Sequence, residues 1–228
     1  MTEKTADIFF KRLILKITVL FCAFCFFSCA NNAPEISSVE AKIVYDFESE
    51  DAKPAQKLSF FLNMNSDVRR VENINVYNEE TGYRWIINNP QLIQNEGSRQ
   101  YAGYTYLTAA VADNGLMPQG KYTVFYLDSC GKDSFGFFNV EYDRDDAKLT
   151  AKKLLEKKNF GKSSVMIAVY SKESDLLFFD APFARLGESE DLAYKEEVEK
   201  NFPEAAYYRI FYKSENIIYI MPKIEVGQ

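Results

Sequence analysis

Five aromatic side chains are concentrated in the middle of the chain, at Tyr83, Trp85, Tyr101, Tyr104 and Tyr106. On an exposed sheet face, rings grouped in this way can stack against sugars or hold a peptide. Packing in a sandwich core explains most of them, while Tyr101 and Tyr104 fall in a glycine-containing loop and are the better candidates for exposure. We take Tyr101, Tyr104, Tyr106 and Trp85 as the candidate ligand-binding residues.

Two acidic runs suggest cation binding, because alternate carboxylates can converge on a hard cation such as calcium. The first run is 143–146, but Ala147 occupies the place of its next ligand, and the glycine and final glutamate of an EF-hand loop are missing. Capping of a following helix is therefore the interpretation we favour. The same holds for Glu188, Glu190 and Asp191, and we predict no metal site.

The chain contains no histidine, which removes Ser-His-Asp and Cys-His catalysis and His-ligated zinc. No glycine-rich phosphate loop and no nucleophile elbow is present. A carboxylate-based glycosidase stays open only in principle, because among 33 acidic residues some pair always lies close together. We predict no catalytic residue and no cofactor. The net charge of −6 argues against a nucleic-acid partner.

The N-terminal segment has the features of an export signal. Lys11, Arg12 and Lys16 precede an uncharged apolar run at 17–27, which as a helix is about 16 Å long, half the hydrocarbon thickness of a membrane. The following Ser28-Cys29 resembles the lipobox of bacterial lipoproteins. The resemblance implies a signal peptide at 1–28, lipid attached to Cys29, and a location outside the cytoplasm, at the periplasmic face or the cell surface.

Two alternatives to lipidation remain open: ordinary signal-peptidase cleavage after Ala30, and an uncleaved anchor at 13–30. Residues 29–40 are polar and are predicted to be a flexible tether. Cleavage before Cys29 would leave Cys130 as the only other cysteine, so no intramolecular disulfide is expected. We interpret Cys130 as a tolerated thiol in a turn.

Short alternating segments indicate an antiparallel β-sandwich at 41–142. Seven strands are predicted, at 42–47, 58–64, 71–77, 83–87, 103–108, 121–127 and 135–142. The segment 116–124, with its Pro118, Gly120 and Tyr122, is similar to the approach to the penultimate strand of immunoglobulin-like and fibronectin type III-like domains. That resemblance implies a tyrosine corner at Tyr122, a core role for Trp85, and a domain used for binding or spacing.

The hydrophobic period changes after Tyr142. Helices are predicted at 147–158 and 191–201, and each is followed by two strands. A shift of 42 residues aligns Lys158-Asn159-Phe160 with Lys200-Asn201-Phe202. We interpret 143–228 as a duplicated helix–hairpin (αββαββ) α+β domain, in which two hairpins form a four-stranded sheet covered by two helices.

The expected protein is thus mainly β with an α+β part, and it is not an enzyme. We expect a membrane-anchored interaction module of the cell envelope, with a protein or glycan partner. The alternative is a structural or assembly component of the envelope. An exposed, concave cluster of the Tyr101 to Tyr106 aromatics would favour ligand binding. Burial of that cluster, with a flat apolar patch elsewhere, would favour assembly.

Overall fold

The computed structural model describes residues 33–94, 99–109, 115–158, 160, 165–181 and 190–227. The predicted signal peptide 1–28, Cys29 and Glu188 lie outside these residues. Residues 34–228 form one compact unit that is mainly β, as the sequence predicts. No helix in the described part of the chain is long and apolar enough to cross a membrane.

Eight strands are formed by the described residues of the first part of this unit. They are β1 Ile36–Asp46, β2 Ala55–Met64, β3 Val71–Asn78, β4 Arg84–Ile87, β5 Gln91–Gln94, β6 Gln100–Leu107, β7 Gly120–Asp128 and β8 Asp133–Val140. The prediction of seven strands was wrong by one, because β5 is a short strand with polar ends and all four of its residues exposed. Such a segment carries no alternating pattern.

Within its described residues, the second part contains two α-helices and five strands. They are α1 Ala151–Lys157, β9 Val165–Tyr170, β10 Leu176–Asp180, α2 Glu190–Asn201, β11 Tyr207–Lys213, β12 Ile217–Ile220 and β13 Ile224–Glu225. The order helix, strand, strand therefore occurs twice, and β9–β10 and β11–β12 are antiparallel pairs that lie side by side. Their origin by duplication stays a prediction.

One nine-stranded sheet joins the two parts. Its order is β10-β9-β11-β12-β1-β2-β6-β5, with β13 paired to β11, and β1 pairs with β12 in parallel through Ile43 and Ile217. The sheet thus runs across the boundary predicted at 142–143. A second sheet has the order β4-β3-β7-β8 and is antiparallel throughout.

The two sheets face each other across a common core. Phe60 of the larger sheet stacks on Phe138 of the smaller one at a ring distance of 6.2 Å, and Phe138 stacks on Tyr122 at 5.0 Å. Strand residues that alternate along both sheets fill the space between them, including Leu58, Leu62 and Val124. This alternation is the feature that the sequence pattern reports correctly.

Two segments differ from their predicted structure. Strand β1 begins at Ile36, inside the predicted tether, because Ile36 and Val39 pack against the core and the strand pairs with β2 along its whole length. The predicted helix at 147–158 is shorter: α1 begins at Ala151, and its N-terminus is capped by the Thr150 side chain. A turn of 3₁₀ helix precedes it.

Candidate functional site

Trp85, one of the predicted ligand-binding residues, lies on β4 and packs against the core. Its indole N–H donates to the carbonyl oxygen of Thr108 at 3.0 Å, and its ring lies 4.7 Å from Tyr83 and 6.1 Å from Tyr122. The Trp85 ring is thus in contact with other aromatic rings, and its only hydrogen-bond donor is already bonded. Trp85 therefore stabilises the small sheet and does not join the other three candidates.

The three predicted tyrosines all lie in β6, so Tyr101 and Tyr104 are in a strand and not in the glycine-containing loop that we expected for them. Tyr101 is half-buried and Tyr104 packs against the core, whereas Tyr106 is 50% exposed. The expectation that Tyr101 and Tyr104 are the exposed pair was wrong. Gly103 does not break the strand, since the absence of a side chain lets β6 lie directly against β2.

A β-bulge explains the exposure of Tyr106. The pairing of β2 with β6 shifts between Leu58–Leu107 and Phe60–Tyr104, so two residues of β6 oppose Ser59 alone. Tyr106 takes a left-handed φ of 64°, which is unfavourable for an aromatic residue, and its N–H lies 3.3 Å from the Ser59 Oγ. The bulge turns the Tyr106 ring to the outer side of the large sheet.

Tyr106 lines a groove on that outer side, which we call the outer groove. Its volume is about 290 Å³ and its floor is apolar, built from Val44, Phe61, Met166, Phe211, Ile218 and Ile220. Phe179 of β10, 47% exposed, forms another part of its wall. The outer groove thus brings together residues that lie far apart in the sequence.

The large sheet is strongly curled around this groove. Tyr106 on β6 and Phe179 on β10 are six strand positions apart, which is about 29 Å in a flat sheet. Both nevertheless line one cavity of about 290 Å³. Burial, together with the neighbouring hydroxyls of Tyr106 and Tyr207, raises the pKa of Tyr170 on β9, which again places β6 near the far edge of the sheet. The outer face of the sheet is therefore concave.

A partly buried ion cluster connects the neighbouring strands. The Asp46 carboxylate accepts from the Lys57 ammonium at 2.7 Å and from the Arg209 guanidinium at 2.6 Å. Partial burial raises the pKa of Asp46, but the hydrogen bonds and charges of the two cations outweigh it, and the net pKa is lowered. Lys57 also lies 4.9 Å above the Tyr106 ring. This cluster fixes the position of Tyr106.

The small sheet exposes a set of apolar residues, which we call the aromatic face. Its members occupy two adjacent rows on the outer side of β4, β3, β7 and β8: Tyr77, Ile86, Phe125, Phe135 and Phe137. Phe135 is 59% exposed and its ring contacts Phe137 at 5.6 Å. With about 150–250 Å² per ring, four half-exposed rings amount to roughly 300–500 Å². Patches of this size on a monomer are often functional.

Polar groups border the aromatic face. The Lys121 ammonium lies 4.3 Å above the Phe137 ring and 3.1 Å from the Glu79 carboxylate. Hydrogen bonds from Thr123 and Lys121 lower the pKa of Glu79. Arg84 donates to the Asn75 side chain at 2.7 Å. An apolar centre with a polar rim is the usual composition of a protein interface.

Sequence reasoning missed the aromatic face, although the chain carries a signal for it. In β7, Tyr122, Val124 and Tyr126 are buried, so Phe125 must lie on the opposite side. In β8 the same alternation puts Phe135 and Phe137 on the outer side. The two-residue period along β7 and β8 was not used to place Phe125, Phe135 and Phe137.

The acidic run 143–146 does not form a cation site. Asp146 is 2% exposed and its carboxylate binds the ammonium groups of Lys157 at 2.8 Å and Lys158 at 2.5 Å. Asp143 accepts the N–H of Asp145 and does not cap α1. Within the described ranges, no group of three or more histidine, cysteine or acidic residues is placed to hold a metal.

Comparisons with known proteins give little. No family model matches the chain, and no curated protein matches it. One solved structure, described as "Anomalous substructure of Titin-A168169", has 10% sequence identity, a TM-score of 0.24, and coverage of 86% of this chain and 100% of its own. A similarity at that level carries no structural argument, and no family membership follows from these comparisons.

Proposed function

We propose that this chain is a non-enzymatic interaction module of the bacterial cell envelope, anchored to a membrane by lipid on Cys29. The observation that carries the proposal is the aromatic face. Tyr77, Phe125, Phe135 and Phe137 are exposed together although each strand offers a buried side for such rings. Exposing them costs free energy in an isolated monomer, and binding to a partner recovers it.

A protein is the partner that this face fits best. Two rows of rings on a sheet of four strands form a broad surface, and Arg84, Lys121 and Glu79 supply charges of both signs at its border. Interface centres are rich in aromatic residues and poor in charge, as here. A glycan partner, the other possibility considered from the sequence, would stack on one or two of these rings.

Photo-crosslinking tests this proposal on the anchored, full-length chain. A benzoylphenylalanine at position 135, the most exposed member of the aromatic face, should give a discrete protein adduct in cells. The matched control is position 176, where Leu176 is 57% exposed on a strand of the other sheet. No adduct at position 135, or the same adducts at both positions, would contradict a partner at this face.

The rival function, a fixed structural component of the envelope, would use the same surface. An apolar patch away from the Tyr101 to Tyr106 segment is what we expected of an assembly component. The two functions differ in whether the partner is released from this chain. A released partner gives an adduct that fades when the partner is depleted and returns when it is supplied again. A fixed contact gives an adduct that persists after synthesis of the partner stops, because the bound partner is not released.

The lipid anchor is tested separately from the partner. Incorporation of radiolabelled palmitate should occur in the wild-type chain and be lost in Cys29→Ala. Equal labelling of the two would overturn lipidation at Cys29 and leave cleavage after Ala30 or an uncleaved anchor. Neither result bears on the aromatic face.

We also propose that β1–β8 form an immunoglobulin-like or fibronectin type III-like sandwich, followed by a duplicated helix–hairpin unit. The strand orders β1-β2-β6-β5 and β4-β3-β7-β8 support the first part. So does the Tyr122 hydroxyl, which donates to the Pro118 carbonyl at 2.6 Å as a tyrosine corner requires. The repeated order of α1-β9-β10 and α2-β11-β12 supports the second part.

A further inference from the structure

The outer groove supports an inference that does not depend on the aromatic face, because the two lie on different sheets. Apolar side chains from β1, β2, β9, β11 and β12 form its floor, where an outward sheet face normally carries polar residues. The curl of the sheet closes this floor into a concave site between Tyr106 and Phe179. A concave apolar site with few polar groups is the common form of a small-molecule site.

The outer groove is lined by more positive than negative charges. Lys42 and Lys213 both line it, against a single acid, Glu40. Lys213 is paired in register with Ile218 of the floor, and Lys42 lies two residues before Val44 on the neighbouring strand, so the two cations lie in adjacent rows of the sheet. Glu40 lies one row beyond Lys42, beside Phe61. Among the described residues neither ammonium takes part in an ion pair, while the Lys42 amine donates to the carbonyl of Glu215.

Tyr106 is held in place at the groove at an energetic cost. Its left-handed backbone conformation is supported by the bulge and by Lys57 above its ring. Strained residues that persist in this way are concentrated at binding sites and ligand clamps. Tyr106 is also the one residue of the sequence-predicted aromatic set that is mostly free to meet a ligand.

We propose that the outer groove binds a single dissolved amphiphile with an apolar chain of about ten carbons and a carboxylate head. Chain length follows from the volume: at about 30 Å³ per heavy atom, the share of a water molecule in the liquid, 290 Å³ holds about ten atoms. The chain lies on the apolar floor. The head lies beside Lys213 and Lys42, which donate charge-assisted hydrogen bonds to it.

The test is calorimetric titration of the soluble fragment 30–228 with decanoate at concentrations where it does not form micelles. This fragment contains the whole hydrophobic core, which begins at Ile36. Wild type should bind one decanoate per chain. Decanol, which has the same chain length without the charge, should bind about tenfold more weakly.

Two variants test the assigned roles of head and chain. Lys213→Glu should weaken decanoate binding about tenfold and leave decanol binding unchanged, whereas Phe179→Ser should weaken both ligands about fivefold. Lys213 and Phe179 are exposed, so we expect both variants to fold as wild type does. Thermal unfolding of each variant checks this. Lys172→Glu, in an exposed turn, and Leu155→Ser, exposed on α1, are the matched controls and should bind as wild type does.

Three outcomes would overturn the proposal. The first is the absence of saturable decanoate binding to the folded wild-type fragment. The second is equal affinity in Lys213→Glu, Phe179→Ser and wild type. The third is binding that appears only with micelles or vesicles, which would indicate a lipid surface as the partner in place of a single amphiphile.

Discussion

Tyr122→Phe removes one hydroxyl from the most buried part of the small sheet. The ring is fully buried, and its hydroxyl donates to the Pro118 carbonyl at 2.6 Å, which fixes the segment that leads into β7. Phenylalanine keeps the ring contacts with Phe138 and Trp85. The substitution therefore removes only the hydrogen bond of Tyr122 and leaves the Pro118 carbonyl without this donor.

The magnitude follows from the surroundings of that carbonyl. A buried acceptor left without a partner costs about 1–3 kcal/mol, and Pro118 is only half-buried, so water can replace part of the bond. We expect Tyr122→Phe to lower the free energy of unfolding by about 1–2 kcal/mol. For a unit of this size the melting temperature should fall by about 2–4 °C per kcal/mol.

Tyr126→Phe is the matched control, four residues further along the same strand. Tyr126 is equally buried, but its hydroxyl has no hydrogen-bond partner within the part of the chain that the structure describes. Burial raises its pKa to about 12. Removing an unsatisfied hydroxyl should leave stability unchanged or increase it by up to about 1 kcal/mol.

Urea unfolding of fragment 30–228, followed by circular dichroism, measures all three proteins. The expected order of stability is Tyr126→Phe at or above wild type, and Tyr122→Phe clearly below it. Two variants within about 0.5 kcal/mol of each other would contradict the tyrosine corner, since that difference is within the scatter of independent substitutions. A loss confined to Tyr126→Phe would contradict the assignment of both hydroxyls.

Two further substitutions follow from the structure. Gly103→Ala should destabilise the fragment by at least about 2 kcal/mol in urea unfolding, because the new Cβ would lie 2.1 Å from the Phe60 carbonyl oxygen, and backbone must move to relieve it. Asp46→Asn should be less stable than wild type at pH 7 and approach wild type as the pH falls. The pKa of Asp46 is lowered by Lys57 and Arg209, so its stabilisation is complete above about pH 4 and disappears as the pH falls through the folded value. A difference between Asp46→Asn and wild type that stays constant from pH 7 to pH 2.5 would show that this ion cluster does not stabilise the fold.

The β7–β8 hairpin shows what local sequence determines. Its strands alternate strictly, and the turn between them is fixed by Asp128, whose carboxylate accepts the N–H groups of Cys130 and Lys132. An aspartate that binds the backbone two and four residues ahead is a local device, and the residues that form it are adjacent in the sequence. Prediction succeeds here because Asp128 and the backbone groups that it binds are close in the sequence. The ion pair of Asp128 with Arg70 is a distant contact that the sequence pattern does not predict.

The pairing of β1 with β12 shows what local sequence does not determine. Ile43 and Ile217 are neighbours in a parallel ladder although 174 residues separate them along the chain. A strand at the edge of a separate sheet and a strand that continues a larger sheet have the same alternating pattern. The pattern therefore does not show which strands are neighbours. The sequence therefore predicts two sheets in succession, where the structure has one continuous sheet.

The β-bulge at Tyr106 is a local feature that the sequence pattern does not predict, and it changes which residues form the site. Strict alternation places Tyr104 and Tyr106 on the same side, but the bulge opposite Ser59 inserts one residue and reverses the phase. No residue type near the bulge announces it, since the left-handed position is taken by tyrosine and not by glycine or asparagine. Tyr104 therefore packs against the core, whereas Tyr106 lines the outer groove.

The aromatic face and the outer groove can be tested separately, because their test residues lie on different strands. Phe135 lies on β8 of the small sheet, and Phe179 and Lys213 lie on β10 and β11 of the large one. Substitutions at such distant positions act independently. Lys213→Glu should therefore leave the adduct at position 135 unchanged, and Phe135→Ser should leave the decanoate affinity unchanged. Loss of the adduct in Lys213→Glu, or of decanoate affinity in Phe135→Ser, would mean that the two outer faces are energetically coupled.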